Sequence, residues 1–347
     1  MSRPPLRLPA HDGRDDGEAV AEPIELRAAL VDKALVDNDG MTVPSARPTL
    51  EAVTRISDLL SAGRTYSFEF FPPKSDQELL VLSRSLLELQ PLGPSFVSVT
   101  YRGGAESRQR THNLVSGMLH TSTLVPMAHL VCVAHTRLEL AEILVSLRRS
   151  GVDNVLALGG DVVAGSDAPR ELAHAIELVE LARAIGGFSI GVAAHPAGHP
   201  ASPDLGSDRD RLAEKLALAD FAITQFFFEP AEYLGLVSDL AERGIDKPVL
   251  PGIMPVTALS SIPRMATMGA PVPPWMAGRL EAASEADGPD GVRRCGIELA
   301  TELCQAVLDG GAPGLHFYTL NRSSATRDIY RALGLVPHLS GTGAGTS

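Results

Sequence analysis

From Tyr66 onward the chain repeats one unit: a short apolar run, a polar turn, then an amphipathic stretch of roughly 10 to 18 residues. The runs lie at 66–71, 96–100, 127–133, 155–158, 189–194, 221–228, 249–253 and 315–320, eight in all. A strand followed each time by a helix cannot pair with its successor as a hairpin. The strands are therefore expected to be parallel, with the helices covering them. Eight such units over about 270 residues predict an α/β fold of the closed (β/α)8 type, a TIM barrel. A doubly wound sheet is the alternative, and it would carry a glycine fingerprint after its first strand. Neither GxGxxG nor GxxxxGK[ST] occurs, so any nucleotide must be held in another way.

Local punctuation agrees with this pattern. A helix is predicted over 49–61, with Leu50, Val53, Ile56, Leu59 and Leu60 on one face and Gly63 ending it. Thr136 and Glu139 form a capping box before Leu140, Leu144 and Leu147, and Gly151 closes that helix. Asp208 is the expected cap of the helix holding Leu212 and Leu216. Between the seventh and eighth strands two helices are expected, over 257–268 and 292–308, joined by a loop across 281–290.

Residues 1–45 carry Pro4, Pro5, Pro9 and a run of charges, and are expected to form a flexible extension with at most a short helix over 24–36. The barrel is assigned to 46–337, and the Gly/Ser/Thr-rich residues 338–347 to a disordered tail. The formal net charge of −12 argues against nucleic acid or an anionic membrane as the main partner. Cys132, Cys295 and Cys304 form no CxxC pair, the usage of a reduced cytoplasmic protein. No apolar run reaches the roughly 18 residues of a membrane span, and no signal-peptide h-region opens the chain.

Barrel active sites form at the C-terminal ends of the strands. Glu69 sits in the first run, flanked by Phe68 and Phe70. A carboxylate there costs free energy unless it is paired or protonated. It is either a solvent-facing strand residue or a general acid at the barrel mouth. The later strand ends add Thr100 and Tyr101, His129, Gly159-Gly160-Asp161, His195 with His199, Thr224-Gln225, and Asn321-Arg322. Each has a plain reading as turn, cap or core residue; the weight lies in their convergence on one rim.

The strings SFEFFPPK, SVTYRGG, HLVC, ALGGD, ITQFFFE, PGIMPV and HFYTLNR occur in an order that resembles the methylenetetrahydrofolate reductases, over about residues 50–337. The resemblance implies a (β/α)8 barrel. It also implies reduction of 5,10-methylenetetrahydrofolate to 5-methyltetrahydrofolate with NADH or NADPH, usually through FAD, within one-carbon and methionine metabolism. It places Glu69 and Asp161 as catalytic residues, with Glu69 the acid that helps open the methylene bridge. Asp161 and Gln225 would bond the pterin, and Arg322 the glutamate tail. Thr100, Tyr101, His129, Gly160, His195, His199 and Lys215 fall at cofactor-binding positions. Three residues depart from the flavin pattern: Gly159 replaces an Arg, His195 a Tyr, and Glu214 a basic residue. FAD is accordingly in question, and direct hydride transfer from the nicotinamide is the alternative route.

Two other functions compete. One is a metal-dependent barrel hydrolase using His129, His195, His199 and Asp161, although Pro196 keeps His195 and His199 off one helix face and no HExxH occurs. The other is a folate-binding barrel that turns nothing over.

Overall fold

A computed structural model describes residues 54–101, 105–160 and 171–335. The expected N-terminal extension, its short helix, the first turn of the 49–61 helix, Asp161 and the tail 338–347 lie outside these residues. The described chain opens with helix α1 (Ile56–Ala62) and strand β1 (Thr65–Phe70). It continues through α2 (Asp76–Leu89), β2 (Phe96–Val99), α3 (Ala105–Thr121), β3 (Pro126–Val131), α4 (Arg137–Arg149) and β4 (Asn154–Leu158). Then come α5 (Ala175–Ile185), β5 (Ser189–Ala194), α6 (Leu205–Leu218), β6 (Phe221–Phe226), α7 (Pro230–Glu242) and β7 (Val249–Ile253). Helices α8 (Ile262–Thr267) and α9 (Pro274–Asp309), strand β8 (Gly314–Tyr318) and α10 (Ser324–Ala332) complete it. All strand pairs are parallel, and β8 returns to β1 to close the barrel in the expected order.

The two-residue period of a strand sorts β1 into two faces. Phe68 and Phe70 are fully buried among the helices, with the Phe68 ring 5.4 Å from that of Tyr330 on α10. Ser67 and Glu69 take the opposite face, toward the barrel lumen, where Ser67 meets His316 and Glu69 faces His129. The aromatics flanking Glu69 in sequence are therefore not its environment.

The floor of the barrel is closed by α1. Its Ile56 and Leu60 pack with Phe96, Met127, Leu156, Phe221 and Leu250. The helix has no side-chain cap of its own. Its orphan amides are met instead by the ends of two strands: Ile56 N–H donates to Asn154 Oδ1 at 2.8 Å and Ser57 N–H to Ser189 Oγ at 3.0 Å. The closure of β8 onto β1 explains Gly314. Its φ is +148°, and a Cβ there would lie 1.7 Å from the Thr65 carbonyl oxygen.

The Thr136/Glu139 capping box is present, and Gly151 follows the helix at φ +81°. Three local expectations need correction. Asp204 caps α6, accepting from Ser207 N–H, while Asp208 is buried and bonded to Arg209 and to the His199 amide. The 281–290 stretch is largely helix, because Glu281, Ala282, Ala283 and Glu285 are good helix formers. The break is confined to Asp287 and Gly288, where Gly288 takes φ +56° and Pro289 lacks an amide donor. After β7, a 3₁₀ turn at Leu259–Ser261 and the short α8 take the place of one long helix.

Candidate active site

Glu69 lies near the C-terminal end of β1 and is 6% exposed. Its register partners are Ser98 on β2 and Tyr318 on β8. Two imidazoles converge on one carboxylate oxygen. His129 Nε2 is 3.5 Å from Glu69 Oε2, and His316 Nε2 is 3.6 Å from it. Among the described residues neither nitrogen has a hydrogen-bond partner. Burial pushes the His129 imidazole down to about 4, against the pull of the Glu69 charge, so it is neutral near pH 7. Below Glu69, Ser67 Oγ lies 2.8 Å from His316 Nδ1. Tyr318 donates its hydroxyl to the Thr224 carbonyl at 2.7 Å, and burial holds that phenol well above its usual range. Gly252 makes room for this ring: a Cβ there would lie 2.6 Å from Tyr318 Cε2.

Sequence reasoning missed Ser67 and His316 as members of this group. The available signal was parity, since Ser67 precedes Glu69 by two residues and His316 precedes Tyr318 by two. His129, read as a cofactor-binding position, faces the Glu69 carboxyl.

The turn after β8 is stitched to β1. Leu320 and Asn321 both hold left-handed φ, +50° and +58°. The Asn321 amide grips the Phe71 backbone from both sides, accepting its N–H at 2.8 Å and donating to its carbonyl at 2.9 Å. Thr319 Oγ1 donates to the Glu69 carbonyl at 2.6 Å. These bonds offset the cost of a non-glycine left-handed pair and fix where Arg322 leaves the strand. Arg322 is exposed and lines a cavity of about 830 Å³ above β1, β2, β7 and β8. Tyr318 and Thr100 form part of the wall, and Glu69 is the register partner of Tyr318 on the neighbouring strand. Lys74, Arg110, Arg264 and Arg293 also line it, Arg293 paired with Asp328, and among the described residues Glu78 is the one carboxylate in the lining. In a chain of net charge −12 this wall suits an anionic ligand.

Gln225 is not free to read a ligand edge in this state. Its Nε2 donates to the Met268 carbonyl at 3.1 Å, and its Oε1 accepts the Phe226 amide at 3.0 Å. The remaining cofactor candidates divide. Tyr101 is buried, stacked on His135 and hydrogen-bonded to it through its hydroxyl, and burial raises its phenol to about 12. It lines a second cavity of about 350 Å³ with His129 and Arg108. Gly160 takes φ +78° and abuts Val133, where a Cβ would meet Cγ2 at 2.4 Å. Gly159 is different: a Cβ there meets nothing within 4 Å.

Beyond β5, the His195 and His199 rings pack edge to face with centroids 4.7 Å apart. Burial, then the nearby His199 and Lys215, push His195 down to about 4. Lys215 is turned inward, its Nζ donating to the Ala193 carbonyl at 3.1 Å, and burial lowers its pKa. Arg209 is buried on Asp208, Asp239 and the carbonyls of His195 and Pro196. Glu214 is exposed. Among the described residues no group of three or more His, Cys, Asp or Glu side chains is placed to hold a metal ion. None of the described helices is long and apolar enough to cross a membrane.

The family model described as methylenetetrahydrofolate reductase matches residues 55–334. A 5,10-methylenetetrahydrofolate reductase of Pectobacterium carotovorum subsp. carotovorum is 34% identical over 276 residues, covering 79% of this chain and 91% of that protein. Methylenetetrahydrofolate reductase (NADH) 1 of Arabidopsis thaliana is 33% identical over 305 residues, 83% of this chain and 51% of that protein. Among solved structures, an uncharacterised Clostridium thermocellum protein that binds two copies of 5-methyl-5,6,7,8-tetrahydrofolic acid superposes with TM-score 0.59. It covers 80% of this chain and 96% of its own at 12% identity, a likeness of fold alone. With a family match spanning the barrel from α1 through α10, the chain belongs to the methylenetetrahydrofolate reductase family.

Proposed function

We propose that the protein reduces 5,10-methylenetetrahydrofolate to 5-methyltetrahydrofolate by passing hydride directly from NADH or NADPH to the folate, with Glu69 as proton donor. The reductase activity follows from membership of the family. The observation that carries the donor's role is the Glu69 carboxyl, buried in the barrel lumen beside its register partner Tyr318, which lines the cation-bearing cavity. In the reaction the bond between the bridging methylene and N10 breaks and N10 takes the Glu69 proton, which leaves an iminium at N5. Hydride then adds to the exocyclic carbon and completes the methyl group. Proton delivery by a positioned acid contributes typically ~10²–10⁴-fold. Asp161 and Gln225 are assigned to the pterin. Gln225 would exchange its bond to Met268 for the ligand.

Four observations support a reaction without tightly held flavin. Gly159 offers no charge where the family offers an Arg. His195 is neutral. Glu214 adds a carboxylate, and the Lys215 ammonium is turned inward onto the Ala193 carbonyl. A dinucleotide diphosphate needs cations directed at it, and these residues do not fit one. The test is the visible spectrum of the purified protein, followed by oxidation of stereospecifically deuterated NADH with methylenetetrahydrofolate and no added FAD. A colourless protein that carries the label into the new methyl group is expected. A yellow protein, bleached by NADH before folate is added, would restore the flavin step.

Arg322 is assigned to the tail carboxylate of the folate. Arg322→Ala should raise the folate KM by ~10-fold or more and change kcat little, because the tail is held about equally in ground and transition states. An unchanged KM with a collapsed kcat would place Arg322 at the reacting centre instead.

A further inference from the structure

Two fully buried groups beneath Glu69 have no task in the reaction so far: the Ser67 hydroxyl and the His316 imidazole. Their heavy-atom distances favour one tautomer of His316. Ser67 Oγ is 2.8 Å from His316 Nδ1 and 3.4 Å from the Leu315 carbonyl oxygen. The first is an ordinary hydroxyl hydrogen bond and the second lies beyond the usual range. Assigning the Ser67 proton to the nearer acceptor, Nδ1, places the ring's own proton on Nε2. The reverse arrangement, Nδ1–H to Ser67 with the hydroxyl turned to Leu315, is distinguished by a measurement of the tautomer. That Nε2 is buried, has no hydrogen-bond partner among the described residues, and lies 3.6 Å from Glu69 Oε2. The ring is held by neighbours on both sides, stacked on Phe96 at 6.2 Å and met edge-on by Tyr318 at 5.3 Å. His129 Nε2 reaches the same carboxylate oxygen from β3.

We propose that His316 is a positioning residue for the folate reaction: held by Ser67 as its Nε2–H tautomer, it aims an N–H at Glu69 and, with His129, steadies the carboxylate formed as the proton leaves. The inference rests on the reading of Glu69 as proton donor. A buried acid becomes a buried anion at the moment it acts, and an anion without donors is costly there. Contacts of 3.5–3.6 Å are long for a neutral carboxyl and tighten as charge appears on the oxygen. Such contacts are stronger in the transition state than in the ground state, so they act on kcat and leave KM alone.

The test uses the full chain. The protein has ten histidines, and ¹⁵N-histidine labelling reads their tautomers by NMR. The His316 signals are those lost in His316→Gln. The wild-type ring should show the Nε2–H pattern, and Ser67→Ala should convert it to a mixture. The titratable side chains acting on Glu69 among the described residues are His129 on β3 and His316 and Tyr318 on β8, with Ser98 facing it from β2. Removing an N–H donor from the carboxylate favours its protonated form. In His316→Leu the alkaline limb of the kcat profile should therefore move up by about one pH unit, while kcat falls ~10-fold and the folate KM stays within about twofold. His316→Gln, whose amide replaces the Nε2–H, should recover most of the loss. Ser67→Ala, which removes one hydroxyl, carries the same test if His316→Leu fails to fold.

An Nδ1–H tautomer in the wild type would overturn the proposal. So would an unshifted pH profile in both His316→Leu and Ser67→Ala. Glu69→Gln separates the two readings. If it is inactive while the profiles stay unshifted, His316 alone has been misassigned; if it stays active, the role of Glu69 falls as well.

Discussion

Glu69→Gln is expected to lower turnover by ~10²–10⁴-fold while folding and folate binding remain intact. Glutamine has the size and shape of the carboxyl group and lacks only a transferable proton. The residue is 6% exposed and, among the described residues, its carboxyl makes no close hydrogen bond that folding depends on: His129 and His316 stand at 3.5 and 3.6 Å. The Gln amide meets the same two rings, so the lumen keeps its packing. The loss should therefore fall on kcat, with folate affinity, measured by equilibrium titration, within a few-fold of the parent. Thermal unfolding of the two proteins should nearly coincide. A variant that turns over at close to the normal rate would remove Glu69 from the mechanism. A variant that fails to bind folate would recast it as a binding residue.

The second large effect is a gain. Gly159→Arg combined with Glu214→Lys should tighten FAD binding by ~10²–10⁴-fold. Two charge-assisted contacts of roughly 1.5–3 kcal/mol each account for that range. Gly159 can accept the side chain, since a Cβ there meets nothing within 4 Å and its backbone is not left-handed. Glu214 is exposed on α6 beside the inward-turned Lys215, so its replacement disturbs no buried contact. The readout is flavin fluorescence during titration of parent and double variant with FAD. Equal affinities would show that these two positions do not set FAD affinity, and would move attention to His195.

Much of this was legible from the chain read alone. The eight apolar runs fall on the eight strands, with ends shifted by one or two residues, and two of the runs match their strands to the residue. The capping box at Thr136 and Glu139 formed as expected because its partners lie within one helical turn. The signals that misled were also local ones. Asp208 looks like a cap, but Asp204 is better placed for the first turn, and Asp208 is consumed by the buried Arg209. The Gly- and Glu-rich 281–290 looks like a loop, yet only Asp287 and Gly288 leave helical geometry.

The site divides along the same line. That Glu69 occupies the face opposite Phe68 and Phe70 was implicit in the strand period, because adjacent side chains must point to opposite sides. That the rim would gather Glu69, Thr100 and Arg322 followed from the rule that strand C-termini share one end of a barrel. The sequence by itself therefore determined the eight-strand architecture, the helices between the strands and the placing of Glu69 on the strand face opposite Phe68 and Phe70. All of these are set by short-range sterics and periodicity. What only the tertiary structure decided is partnership. Ser67 and His316 are 249 positions apart, and they meet because β8 closes on β1 in a register that pairs those two residues. That register is fixed jointly by the packing of every strand and by Gly314 permitting the close approach to Thr65. Whether a buried carboxyl finds phenylalanine rings or imidazole nitrogens beside it depends on that closure, and no local pattern along the chain encodes it.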